Sequence, residues 1–146
     1  MDSRLIVTMV YIAHLFVGGM FVLSYQLADV PFADRQFEFL ILVGYLGPTL
    51  ALGLTWVRNY RLGSPMFAGT MAVTAWFVTY FFFIYSGTGS VWTAEGGAFV
   101  AYAVSGLTVV IVSTAGAIVG TWIWYREHEP FRAAVRRTVL PNERTK

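Results

Sequence analysis

Four long stretches of the chain carry little but apolar residues, and the charged positions fall between and after them. They run over about 5–28, 37–57, 64–86 and 98–125. A helix crossing the hydrocarbon of a bilayer takes about 20 predominantly apolar residues, so each stretch is long enough. The first, third and fourth contain no Asp, Glu, Lys or Arg, and the second has only Glu38, at its outer end. The runs are continuously apolar rather than alternating, which predicts helices and not the strands of a barrel. The links 29–36 and 58–63 are short, while 87–97 is rich in Gly, Ser and Thr. Short links join antiparallel neighbours. The expected fold is therefore an all-α integral membrane protein whose four transmembrane helices form an up-down-up-down bundle. The first run exceeds the h-region of a signal peptide, and no small-residue cleavage site with a polar domain follows it, so it reads as a span.

The pattern changes at residue 126. Arg126-Glu127-His128-Glu129 leads into Pro130, which suits a first helical position. Phe131, Ala134, Val135, Thr138 and Val139 then recur at helical spacing, and Arg132, Arg136 and Arg137 take the remaining surface. This predicts a short amphipathic C-terminal helix on the membrane surface, held there by Arg126, Arg132, Arg136 and Arg137. A basic stop-transfer tail that only fixes topology is the simpler reading. Either way, the chain divides into a transmembrane domain, 1–125, and a basic cytoplasmic tail, 126–146.

Composition agrees. Of 146 residues, 57% are hydrophobic and only 12% charged, about half the usual charge of a soluble domain. Mean hydropathy is +0.62, which excludes intrinsic disorder. There is no Cys, so disulfides, thiolate metal sites and thiol redox chemistry are excluded. Counting sides by helix number puts Arg4, Arg58, Arg61, Arg126, Arg132, Arg136, Arg137, Arg144 and Lys146 on one side, and Arg35 alone on the other. So nine of the ten Lys and Arg share a side, which the positive-inside rule makes cytoplasmic. The expected location is the cell (inner) membrane, multi-pass, with both termini cytoplasmic. The opposite side carries Asp29, Asp34, Glu38 and Glu95.

Chemistry is sparse. His14 is the one His, Asp, Glu, Lys or Arg deep in a span. It lies about 13.5 Å from Leu5 at 1.5 Å per residue, near the middle of a ~30 Å core. Such residues are functional candidates by default; the simpler role is a neutral imidazole bonding a neighbouring helix. The same rise arithmetic brings Thr49, Met71 and Thr74 to the level of His14, with Ser113 and Thr114 nearby, and the first three form with His14 a candidate intramembrane polar site. Haem ligation by His14 would lack a second deep His, although Gly18, one turn on, would let a flat ring approach. Copper held by His14 and Met would rest on scattered Met residues, which in spans usually serve packing. The aromatic outer half of span three (Trp76, Phe77, Tyr80, Phe81, Phe82, Phe83, Tyr85) could hold a quinone. No cofactor is predicted outright, and the metal is unknown. Pro48 removes a backbone hydrogen bond inside span two, so a freed carbonyl there needs a partner.

Packing features are more plentiful. Gly116 and Gly120 form a G-x-x-x-G pair, and Gly18, Gly44 and Gly47 add small surfaces, which let helices approach closely. They serve either this chain's own bundle or a second subunit. The spans hold no membrane carboxylate for proton coupling and no hydrolase, P-loop or metalloprotease motif. No enzymatic activity and no nucleic-acid partner are expected. The leading expectation is a non-catalytic structural or accessory subunit of a larger membrane complex, an energy-transducing one being a natural host. Its partners are the lipid bilayer and other membrane subunits or itself. The alternatives are a small homo-oligomeric channel or transporter with His14 in its pathway, and a haem-, copper- or quinone-binding redox protein.

Overall fold

A computed structural model describes residues 2–30, 33–94 and 97–139. Glu95, Arg144 and Lys146, named above for their charge, lie outside the described residues. The described residues are helical, with no strand among them. Four helices are long and apolar enough to cross a membrane: α1 (Ser3–Leu27), α2 (Asp34–Trp56), α3 (Tyr60–Ile84) and α4 (Ala98–Glu127). A fifth, α5 (Glu129–Val139), follows.

The ends of these helices follow from local chemistry. Asp2 caps α1 by accepting from the Arg4 N–H at 3.0 Å. Its carboxylate also pairs with the Arg4 guanidinium at 2.7 Å, and that hydrogen bond pulls its pKa down to about 2. At the start of α2 the Gln36 side chain reaches back to the Ala33 N–H. The end of α2 closes with Arg58 at φ 63°, where glycine is usual. The Asn59 N–H bonds Leu54 O at 2.9 Å and the Arg58 N–H bonds Thr55 O at 3.0 Å, the paired bonds of a Schellman end. The chain is helical again by Tyr60, so α3 begins four residues before the apolar run suggested.

Two turns are wider than α-helical. Over Leu40–Leu46 in α2 the pattern is π-helical, and the Gly47 N–H reaches Leu42 O, five residues back. Over Thr79–Ile84 the same widening ends α3, with the Tyr85 N–H on Tyr80 O at 2.7 Å. A π turn accommodates one extra residue and re-aims whatever follows it.

Helix α4 is the hub. It packs most extensively on α3 and next on α1, while α2 packs on α3 and meets α1 more lightly. Two apolar clusters fill the interior. One holds Phe21, Phe82, Tyr102, Val78 and Val109, and the other Val7, Ala51, Phe67, Met71 and Ile123. At the latter end the Ser3 hydroxyl donates to Glu127 at 2.7 Å, joining the first turn of α1 to the last of α4. Arg4 lies 5.4 Å from the centroid of the Trp56 ring, joining α1 to the end of α2. At the other end the Tyr102 hydroxyl donates to Gly89 O at 2.8 Å, where Gly89 takes φ 83°.

The G-x-x-x-G pair is spent inside the chain. A Cβ at Gly120 would sit 2.8 Å from the backbone N of Ala68, and one at Gly116 would sit 3.0 Å from Met71. Gly47 likewise abuts Thr70. Three other glycines within the spans, Gly19, Gly53 and Gly69, have no such neighbour within 4 Å.

This contrast is measurable by thermal unfolding of the isolated protein in detergent. Gly120→Ala forces α3 and α4 apart and should cost about 2 kcal/mol, the usual penalty of overpacking. Gly53→Ala should be neutral or stabilising by up to ~1 kcal/mol, because it only removes a helix-weakening glycine.

Candidate functional site

The centre of the molecule begins with a missing donor. Pro48 has no N–H, so the Gly44 carbonyl, four residues earlier, has no α-helical partner. The widened turn over Leu40–Leu46 precedes this point, and the carbonyl of Gly44 is turned towards α1. There His14 meets it, with Nε2 2.8 Å from Gly44 O. A carbonyl only accepts, so Nε2 carries the proton. Nδ1 is then the acceptor, and the Ser113 hydroxyl of α4 donates to it at 3.3 Å. One imidazole thus ties α1, α2 and α4 together. His14 is 2% exposed and Ser113 fully buried.

Thr74 of α3 completes the layer. It is buried, its methyl and hydroxyl lie 3.6 Å from where a Gly44 Cβ would be, and the hydroxyl donates to Thr70 O at 2.8 Å. Beside these groups lies a cavity of about 80 Å³, lined by His14, Thr74, Phe21, Leu40, Tyr45 and Val78 among others. Pockets for drug-sized ligands start near 300 Å³, so this space suits a few waters or one small group.

The four residues matched by depth therefore separate. His14 and Thr74 share the central layer. Met71 lies just beyond it, in the apolar cluster with Phe67 and Ile123 and against Gly116. Thr49 faces outward, where its hydroxyl donates to Tyr45 O at 2.6 Å and accepts from the Tyr11 hydroxyl. A second polar link runs along the same α1–α2 seam, from Trp56 Nε1 to the Thr8 hydroxyl at 3.1 Å. Thr49 is exposed while His14 and Thr74 are buried, so these three do not share one surface within a copy.

The Gly44 carbonyl is the site group that depth alone does not select, whereas Ser113 falls near the level of His14 by the same arithmetic and does meet it. The signal for Gly44 was present four residues before Pro48. The flat ring accommodated by Gly18 belongs to the chain itself: Tyr45 lies over that glycine, and a Cβ there would run into its hydroxyl end. Gly44 and Gly47 of α2 face α3, against Thr74 and Thr70.

Both ring nitrogens of His14 are committed. A metal needs a nitrogen lone pair; Nε2 has given its own to a proton, and that of Nδ1 points at Ser113. Among the described residues no group of three or more His, Asp or Glu is placed to hold a metal ion. The aromatics of α3 divide by face. Phe77 and Phe82 are core, with Phe82 against Phe21 and Tyr102. Trp76 and Tyr80 stack on the outside at 5.8 Å and 9° between planes. The basic group lies at one end, with Arg126 closing α4 and Arg132, Arg136 and Arg137 on α5.

No family model matches the chain, and no curated protein or solved structure matches it.

The bond between His14 and Gly44 is open to a double-mutant cycle read by unfolding in detergent. His14→Leu strands the Gly44 carbonyl and should cost roughly 1–3 kcal/mol. In a Pro48→Ala background the restored N–H supplies the α-helical donor. There the loss of His14 should cost about 1 kcal/mol less, a coupling of the size expected for groups in contact. Equal costs in the two backgrounds would show that Pro48 is not why His14 is needed.

Proposed function

We propose that this protein is a non-catalytic packing subunit of a larger membrane assembly, spanning the bilayer four times in up-down-up-down order with both termini cytoplasmic. The observation that carries this reading is the set of outward glycines. Gly19, Gly53 and Gly69 sit inside the long apolar helices, yet among the described residues no neighbour lies within 4 Å of where their Cβ would be. In a helix each weakens the structure by about 1 kcal/mol relative to Ala. In membranes, glycines repay that by letting another helix come close. Gly116, Gly120 and Gly47 do so within the chain; the outward three need a neighbouring protein.

Two further features support the reading. Among the described residues, the one His, Asp, Glu, Lys or Arg deep in a long apolar helix is His14, and it is engaged with two other helices. The interior on either side of it is closed by side chains such as Phe67, Met71, Phe82 and Tyr102, each 0% exposed, which leaves a transport path only between copies.

Affinity purification from native membranes in a mild detergent tests the proposal. The wild-type chain should bring down a membrane partner in fixed ratio. Gly53→Leu and Gly69→Leu should reduce that recovery at least tenfold while the melting temperature of the purified chain holds, since the new side chains meet nothing of its own. Recovery of the chain alone, monodisperse, overturns the proposal. Topology has its own check. The chain contains no Cys, so Asp2→Cys and Thr138→Cys variants give clean single labels, and both should be shielded from a membrane-impermeant maleimide in intact cells.

A further inference from the structure

Helix α5 folds back against the outer face of α4. His128 makes the corner, leaving helical geometry at φ −118° and ψ 97°. Its Nδ1 accepts a hydrogen bond from the Phe131 N–H at 3.3 Å. The Phe131 ring then stacks on Trp124, 3.8 Å between centroids and 6° between planes. That stack sets α5 at the foot of α4, and the two helices enclose an open apolar groove of about 520 Å³. Thr114, Ile118, Thr121 and Trp122 form its wall, and Phe131 and Val135 its floor. Thr114 to Tyr125 rises about 16.5 Å, close to half of the ~30 Å hydrocarbon thickness. The wall is one leaflet deep.

One arginine lies on the groove's wall, and three more are carried by the helix that forms its floor. The Arg126 guanidinium lies over Trp122, 5.5 Å from the ring centroid, at the end of the wall. Arg132 and Arg136 follow directly after Phe131 and Val135 on α5, each about 100° further round the helix, and Arg137 comes next. Of the two carboxylates nearby, Glu127 is engaged by Arg126 at 3.3 Å and by Ser3 at 2.7 Å, and Glu129 opens α5. Four arginines against two carboxylates leave net positive charge beside an apolar slot of acyl-chain length.

We propose that this groove is a binding site for one anionic phospholipid, with an acyl chain along Ile118 and Trp122 and the phosphate among Arg126, Arg132 and Arg136. The site rests on the membrane-spanning reading above, and adds to it a lipid that α5 selects by charge.

The test uses the full chain in nanodiscs of phosphatidylcholine with graded phosphatidylglycerol. Native mass spectrometry counts the lipids that leave with the protein. One phosphatidylglycerol should be retained, at least tenfold over phosphatidylcholine at equal abundance. Arg126→Gln and Arg132→Gln should each weaken that preference about fivefold, the effect of one basic group near an anionic surface. Ile118→Trp fills the groove from a side chain already 65% exposed; it should abolish retention without lowering the melting temperature. Equal retention of the two lipids overturns the proposal. So does selective retention untouched by Ile118→Trp, and so does a dimer that seats a second copy in the groove and carries no lipid there. Resistance to alkaline carbonate extraction separates the two levels. A chain that resists extraction but shows no lipid preference loses this site alone, whereas a chain released by carbonate loses the membrane-spanning reading as well.

Discussion

One absent hydrogen organises the middle of this protein. A proline inside a helix leaves a carbonyl without its backbone donor, and such a group buried in apolar surroundings costs several kcal/mol if nothing satisfies it. Pro48 creates that need at Gly44, and His14 answers it from another helix. Because the need is for a donor, it also decides which ring nitrogen is protonated, which in turn makes Nδ1 an acceptor and recruits Ser113 from a third helix. Three helices are thus brought to a common level by a chain of donors and acceptors that starts from backbone chemistry. Apolar side chains cannot do this, since lipid is as good a solvent for them as a neighbouring helix is. The polar layer fixes register, and the clusters around Phe82 and Phe67 fill the space on either side.

The same layer accounts for how far the sequence could be read. Hydropathy located all four long apolar helices, because continuous apolar runs of that length fold no other way here, and the helix ends differ from those of the apolar runs by four residues or fewer. Such differences arise where a polar cap extends a helix past its apolar core, as Asp2 does before Leu5 of α1. Depth was also legible, since 1.5 Å per residue is nearly invariant, and His14 and Thr74 do share a layer. Direction was not. The π turn over Leu40–Leu46 rotates everything after it relative to a straight helix, which is why Thr49, at a suitable depth, looks outward to Tyr11. A pattern read at 100° per residue has no means of registering one inserted residue. The partner of Gly18 was hidden for a related reason: Tyr45 lies on the widened stretch itself.

Glycine identity separates what the chain does for itself from what it offers to others. In sequence Gly120 and Gly69 look alike, small residues within apolar spans. In three dimensions one is pressed against the backbone of Ala68 and the other touches nothing. The inward set explains how α4 can serve as hub to α1 and α3 at close approach. The outward set has no counterpart in the fold's own energetics, since each member weakens its helix and returns no packing. A bundle whose sole surroundings were lipid would gain by replacing them with Ala or Leu.

The arginine-bearing end shows a division of labour between holding and orienting. Arg4 lies over Trp56 and Arg126 over Trp122, two matching pairs of a cation and a ring. At exposed positions each pair contributes only about 0.5–1 kcal/mol, too little to assemble helices that share a buried histidine and two apolar clusters. Their placement accomplishes something different. Indole rings favour the boundary between hydrocarbon and headgroups, and a guanidinium stacked on such a ring is held at the phosphate level. In a bundle inserted as proposed, both pairs set the height at which it sits, and α5, pinned to Trp124 through Phe131, lies at that same end. In the proposed orientation the polar layer at His14 ties the helices to one another, while the arginine–tryptophan pairs tie the assembled bundle to one face of the membrane.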